Sequence, residues 1–317
     1  MNKSLVSYAV LLVAGIAALA SAPRQTARPS TLIDSAQLLS DLKVLSADDM
    51  QGRQVDTPGG AKARAFVIDR FKASGIQPFG EAYTEPFTFT AGRGGTQTER
   101  HGINVVGHID GTNTQRFIVV SAHYDHIGAR NGVVFNGADD NASGTAALFA
   151  VAKYFSAHRP ANSLLFVAFD GEESGLRGSE AFVKQPPVDA HAMAIDLNMD
   201  MIGRDPNDKL FVVGTYLPPF LKPLIEKLAA EAPVKVLIGH DDPSQKDVED
   251  WTKDSDHYAF ITAKIPALYF GVEDFDQHHK STDDYETITF DFYIRAVETM
   301  VDAVKVFDAN LDSIRRF

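Results

Sequence analysis

The chain has no cysteine. That excludes a thiol nucleophile, a thiolate-ligated zinc site and any disulfide staple, and leaves His, Asp and Glu to hold any transition metal. Positive charge is scarce: 30 Lys and Arg stand against 42 Asp and Glu, a formal net charge of -12. With no basic tract and no aromatic-basic interleaving, nucleic acid is not expected as a partner. Familiar catalytic signatures are missing too. The sequence holds no H-E-x-x-H zinc helix, no G-x-S-x-G elbow, no P-loop and no G-x-G-x-x-G fingerprint.

What is present begins with the N-terminus. Lys3 precedes an uncharged apolar stretch from Leu5 to Ala20, closed by the small residues Ala18, Ala20 and Ala22. This pattern reads as a secretory signal peptide over residues 1–22, cleaved at about 20–22. An uncleaved anchor is the alternative, although the run is at the short end for a membrane span. The lack of cysteine excludes a lipoprotein anchor. The expectation is therefore an exported protein, periplasmic or extracellular, with no stable membrane insertion of the mature chain. Residues 23–31 read as a mobile leader, and residues 32–317 as one domain. The 317 residues, 44% of them hydrophobic, suffice for one sizeable core.

Helical spacing covers residues 34–45 and 59–74, the second opening at Pro58-Gly59-Gly60 and ending at Gly75. Residues 83–90 and 102–109 read as strands, separated by a turn at Gly92-Arg93-Gly94-Gly95. Buried strands then alternate with helices. Strands are expected at 117–120, 164–169, 192–197, 209–213 and 266–270, and helices at 143–155, 176–184, 219–230 and 291–307. This alternation implies a three-layer α/β/α fold around a mixed, largely parallel sheet.

In such sheets ligands bind beyond the carboxyl ends of the strands. His123-Tyr124-Asp125-His126 follows the strand at 117–120, and Asp139-Asp140 lies just before the next helix. Asp170-Gly171-Glu172-Glu173 follows the second buried strand, Asn198-Met199-Asp200 the third, and Asp274 to His279 the last. Singly, each has an ordinary reading: a polar surface triplet, a solvated acidic turn, or acids at a helix N-terminus. Jointly they deliver acids and histidines to one sheet edge. Carboxylates crowded there would repel one another unless a cation lay between them. His, Asp and Glu donors suit catalytic zinc, and a bridging carboxylate suits two ions.

At these residues the chain resembles the bacterial leucyl aminopeptidase and aminopeptidase Y family of co-catalytic two-zinc metallopeptidases (clan MH). The resemblance runs from Leu45-Ser46-Ala47-Asp48-Asp49-Met50-Gln51-Gly52-Arg53 through the Gly137-x-x-Asp140-x-x-Ser143-Gly144 box. It continues through Gly171-Glu172-Glu173-x-Gly175-Leu176-x-Gly178-Ser179, Asn198-Met199-Asp200 and Ser255-Asp256-His257, and ends at His279 to Tyr285. The stretch from Phe89 to His101 is too short for the protease-associated domain that some members insert there. The resemblance implies a zinc aminopeptidase acting on peptides. It implies His123 and Asp200 at one zinc, Glu173 and His279 at the other, and Asp140 bridging. It also implies Asp125 orienting His123, and Glu172 as general base. One departure is His278, where many relatives carry Tyr. His126 and His257 are expected near the site without being ligands, and His101, His108, His158, His191 and His240 as ordinary histidines. Two rivals share the scaffold: a one-zinc glutaminyl cyclase, and a binding module that has lost its metal ligands.

Overall fold

The buried runs of the sequence become the middle of one eight-stranded sheet in a computed structural model that describes residues 28–92 and 97–316. The expected signal segment, residues 23–27 of the expected leader, and Arg93 to Gly95 of the expected turn lie outside the described residues. Within the rest of the leader, the Ser30 hydroxyl accepts hydrogen bonds from the Leu32 and Ile33 amides.

Helix α1 (Ser35–Leu45) starts where the Asp34 carboxylate accepts from the Gln37 amide. Helix α2 (Pro58–Ser74) is capped by Thr57, carries Pro58 in its first turn, and stops at Gly75 in the left-handed region at φ 88°. Its glycines serve packing. A Cβ on Gly59 would lie 2.3 Å from the Met50 carbonyl oxygen, so the segment leading to Arg53 can press against the helix start. Strands β1 (Thr84–Ala91), β2 (Thr98–Ile109) and β3 (Asn113–His123) follow, then a small hairpin of β4 (Ala129–Arg130) and β5 (Val133–Val134). Next come α3 (Gly144–Ala157), β6 (Asn162–Phe169), α4 (Arg177–Lys184), β7 (Met193–Met199) and β8 (Lys209–Val213). The chain closes through α5 (Lys222–Glu231), β9 (Lys235–Ile238), α6 (His257–Thr262), β10 (Ala267–Gly271) and α7 (Phe290–Ala309). The β4–β5 hairpin, β9 and α6 carry no periodicity long enough to announce them in the sequence.

Across the sheet the order is β1-β2-β6-β3-β7-β10-β8-β9. Strands β6, β3, β7 and β10 run parallel, whereas β2 opposes β6 and β8 opposes β10. The expected mixed, largely parallel α/β sheet is what forms. Alternate residues divide between two helical layers. Ile118, Val120, Ala122, Leu164 and Phe166 enter the large core shared with α1, α2, α3, α5 and α7. Val119, Leu165, Val167 and Phe169 pack instead against Phe182 of α4 and Phe260 of α6. No helix among the described residues is long and apolar enough to cross a membrane.

Register decides where the chemistry falls. Ser121 pairs with Asn198 in parallel β3 and β7, so His123 and Asp200, each two residues on, come level on the same pleat. His123 pairs with Phe169, which places the turn after β6 at the same edge. The Asp200 amide donates to the Phe270 carbonyl at 3.0 Å, which aligns the end of β10 with the rest.

Candidate active site

Four segments leave that edge with acids or histidines, and a fifth meets them from the start of α3. After β6 the chain turns through Gly171 at φ 75°, and the Glu172 carbonyl accepts from the Gly175 and Leu176 amides. This tight turn aims Glu172 and Glu173 at the same spot. Asp140 sits in an irregular turn, Ala138–Ser143, whose Asp140–Asn141 peptide bond is cis. The Asn141 side chain pins this turn to the sheet by donating to the Met199 carbonyl at 2.9 Å. His279 lies in the loop between β10 and α7, with φ at 56°.

The structure brings His123, Asp140, Glu173, Asp200 and His279 together. His123 Nε2 is 3.1 Å from Asp200 Oδ1 and 3.5 Å from Asp140 Oδ1. His279 Nε2 is 2.9 Å from Glu173 Oε2 and 3.3 Å from Asp140 Oδ2. Glu172 Oε2 stands 3.9 Å from His123 Nε2. Among the described residues three groups of metal-ligating atoms form, each within 4.8 Å: His123 with Asp140 and Asp200, His126 with Asp140 and Glu173, and Asp140 with His278 and His279. Asp140 belongs to all three.

His126, expected near the site, lies inside the cluster. It is fully buried, and its Nδ1 is 2.7 Å from Glu173 Oε1 and 3.6 Å from Asp140 Oδ2. Yet neither His126 nitrogen nor Glu173 Oε1 meets hydrogen-bond geometry with any partner. The sign available in the sequence was its place three residues after His123, in a segment leaving a strand end. His278 is half exposed, with Nε2 3.7 Å from Asp140 Oδ2, so it faces the cluster from solvent.

Asp125 reaches His123 differently from expectation. The contact at His123 Nδ1 is with the main-chain carbonyl of Asp125, at 3.2 Å, and the carboxylate is 3.8 Å away. That carboxylate instead accepts the Glu172 amide at 3.1 Å, drawn there by the turn after β6. Asp125 thereby links the His123 segment to the Glu172 segment.

Charge follows from this crowding. Burial by itself would hold His123 neutral, but Asp200 and Glu172 overcome it and raise its pKa well above the usual imidazole range. Burial pushes Glu172 well above the usual carboxylate range, opposed by His123 and reinforced by Asp200. Burial also works against ionised Glu173, yet the imidazoles of His126 and His279 hold it well below its ordinary value. His279 is raised to about 10 by its hydrogen bonds with Asp140 and Glu173. The donor set fits zinc: buried nitrogens and carboxylate oxygens converge, several lack a hydrogen-bond partner, and one carboxylate is common to all groupings.

A cavity of about 300 Å3 opens beside the cluster, and Trp251, Tyr269 and Phe275 with Met201 and Val272 form the apolar part of its wall. His240, expected to be an ordinary histidine, supports that wall. Its ring stacks on Trp251 at 3.5 Å between centroids and 7° between planes. Ser255 takes the Asn198 side-chain amide at 2.7 Å, which anchors the start of α6 below the site.

Comparison with known proteins agrees with this construction. Residues 104–304 match Peptidase family M28. A probable leucine aminopeptidase of Trichophyton verrucosum is 28% identical over 222 residues, 64% of this chain and 55% of that protein. A probable zinc metalloprotease of Pyrenophora tritici-repentis is 27% identical over 178 residues, 50% of this chain and 40% of the relative. The chain thus spans about half the length of these fungal relatives or less. Among solved structures, a zinc aminopeptidase from Bacillus subtilis superposes with a TM-score of 0.70 at 15% identity, over 89% of this chain and 96% of that one. A glutaminyl cyclase from Porphyromonas gingivalis gives 0.66 at 17% identity, over 87% and 99%. At such identities these two likenesses establish the fold. With a family match that covers well over half the sequence and the cluster of histidines and carboxylates lying inside it, the chain belongs to peptidase family M28.

Proposed function

We propose that this chain is a zinc aminopeptidase that removes N-terminal residues from peptides. The observation that carries the reading is the position of Asp140, common to every group of potential ligand atoms in the site. A carboxylate so placed can be shared by two ions. His123 and Asp200 would hold one zinc, Glu173 and His279 the other, and Asp140 both. Zinc bound there would supply a water of lowered pKa and polarise the scissile carbonyl.

The chain's own residues do the rest. Glu172 holds no assigned ligand position yet stands 3.9 Å from His123 Nε2 at the edge of the cluster, so it is placed for proton transfer. It takes a proton at its carboxylate and returns it to the leaving amine. Asp125 holds the Glu172 main chain in place. The wall of Trp251, Tyr269 and Phe275 would receive the substrate side chain. The leucine aminopeptidase name of a sequence relative supports removal of N-terminal residues.

A panel of aminoacyl substrates and one N-blocked peptide, assayed with and without zinc, tests the reading. Free N-termini should be cleaved, the blocked peptide spared, and chelation should abolish turnover until zinc is restored. The likeness to glutaminyl cyclases keeps a second reading in view. A Gln-initiated peptide separates the two: amino acid release supports the peptidase, and pyroglutamate formation supports the cyclase. A binding module with lost ligands is disfavoured by the convergence of the full ligand set. We also propose export, on the strength of the N-terminal sequence. N-terminal sequencing of exported protein should find a start near Ser21, and an intact Met1 would argue for an anchor.

A further inference from the structure

His279 is the least supported of the five assigned side chains. Its own side chain is 46% exposed, and its loop has short-range turns in place of a strand. The His278 amide donates to the Asp274 carbonyl, the Lys280 amide to Gln277, and the Asp283 amide to Lys280. Bonds of this kind fold the loop upon itself but do not say where it stands relative to Asp140.

One cation does. Arg204, four residues beyond Asp200, contacts Asp274 through Nη1 and Asp283 through Nη2, the latter at 2.7 Å. Asp274 lies four residues before His278, and Asp283 four residues after His279, so a single guanidinium grips both ends of the loop. Its Nε and Nη2 also donate to the carbonyl and hydroxyl of Thr287, at 2.9 and 2.6 Å. Asp283 in turn accepts the main-chain amides of Asp139, at 3.0 Å, and Asp140, at 3.1 Å. Asp139 accepts the Gly203 amide and faces Arg204 Nη1 at 3.9 Å. Three segments bearing assigned ligands therefore meet at one side chain, which touches none of those ligands itself. Asn136 adds a smaller tie, donating to Asp284 at 2.8 Å.

We infer that Arg204 is the positioning residue for the His279 side of the site: it sets the distance between His279 and Asp140, and so acts chiefly on the affinity for the second zinc. The inference rests on the two-zinc reading. His123 and Asp200 are fixed by paired strands and need no such tether. Lys could supply charge at position 204 but not the planar fork that meets Asp274, Asp283 and Thr287 together.

Zinc binding, followed by competition with a chromophoric chelator, tests this without recourse to turnover. Wild type should bind two ions. Arg204→Gln should keep one at wild-type affinity and bind the other roughly 10–100-fold more weakly, the range for loss of a group that orients ligands. Arg204→Lys should recover only part of that loss. Arg204→Gln leaves Asp139, Asp274 and Asp283 without their cation and can fail to fold. Asp274→Asn therefore serves as a second variant, since it keeps the guanidinium and weakens one grip; it should show a smaller loss confined to the same ion. Circular dichroism and a thermal melt establish that each variant is folded. Equal weakening of both ions in a folded variant, or no weakening of either, overturns the assignment while wild type still binds two. A wild type that binds fewer than two ions overturns the two-zinc reading and this inference with it.

Discussion

His123 closes a strand whose last seven residues are buried, and its side chain is 1% exposed; His279 stands on a loop, in a left-handed backbone conformation, with its side chain 46% exposed. Asp200 shares the first arrangement, since it follows β7 directly and is level with His123 through the sheet register. The contrast shows two ways of aiming a side chain. On the His123 side, ladder hydrogen bonds and core packing do the aiming, so precision comes with the fold. On the His279 side, ion pairs and amide-to-carboxylate bonds must be added to a loop. Strand-built sites hold their geometry more tightly than loop-built ones, and loops more readily admit and release what they cover.

The largest expected effect comes from the residue on the boundary between the two halves. Asp140→Ala should lose both ions and reduce turnover to the solvent background, as seen by elemental analysis with a peptidase assay. Retention of two ions would dissolve the distinction between halves. Glu172→Gln should follow, lowering kcat by ~10²–10⁴ while both ions stay. Glu173→Ala, one residue along, should instead shed one ion. If the glutamine variant turns over near the wild-type rate, Glu172 is not the base.

Asp125→Ala should have a smaller effect, about 10–100-fold in activity or metal affinity. Its carboxylate joins the His123 segment to the Glu172 turn, so the loss should appear in kcat and in the His123-side ion, with the His279-side ion spared. Loss of the His279-side ion first would reverse the comparison.

The smallest expected effect is in stability. In chelator-treated protein, His279 is raised to about 10 by Asp140 and Glu173, and His123 is raised well above its usual range. A raised folded-state pKa means that the protonated form favours the folded chain. That contribution is complete below the unfolded value of about 6.5 and is lost as pH climbs through the folded value. The melting temperature of chelated protein should therefore fall from about pH 6.5 to 10. His279→Ala should flatten only a shallow part of that slope, because solvent screens a half-exposed pair. Zinc should reverse the trend, since its ligands bind deprotonated. A chelated protein whose melting temperature rises with pH over this range would contradict the charge arrangement of both halves.

The difference between the halves also explains what was legible beforehand. His123, Asp200 and the Glu172–Glu173 pair follow buried apolar runs, so their place at a strand end could be read from the chain itself. Asp139 and Asp140 were legible as a pair of acids before a helix, and only the family resemblance singled out Asp140. The tethering of the His279 loop was not, because Arg204, Asp274 and Asp283 are ordinary surface residue types until folding brings them together. His126 was expected near the site, but its contact with Glu173 was not legible, because nothing in a row of polar residues tells what each one faces. The layers and most elements were visible as alternating runs, whereas β9 and α6, of four and six residues, are too short for periodicity to register.

Arg53 carries a different kind of consequence. It is fully buried, and it donates to five main-chain carbonyls, those of Leu45, Tyr124, Asn136, Gly137 and Asp140. Each of these contacts ends on a carbonyl that every amino acid possesses. The guanidinium therefore reads the path of the chain and is blind to the identity of the side chains along it. The frame around Asp140 is thus registered through the main chain, separately from what the Asn136 side chain contributes by donating to Asp48 and Asp284. The same feature makes position 53 itself intolerant, since a lysine could satisfy at most three of those five carbonyls. Constraint is thus concentrated at position 53, where one side chain carries bonds to five separate carbonyls and ties the segments around Asp140 into a single frame.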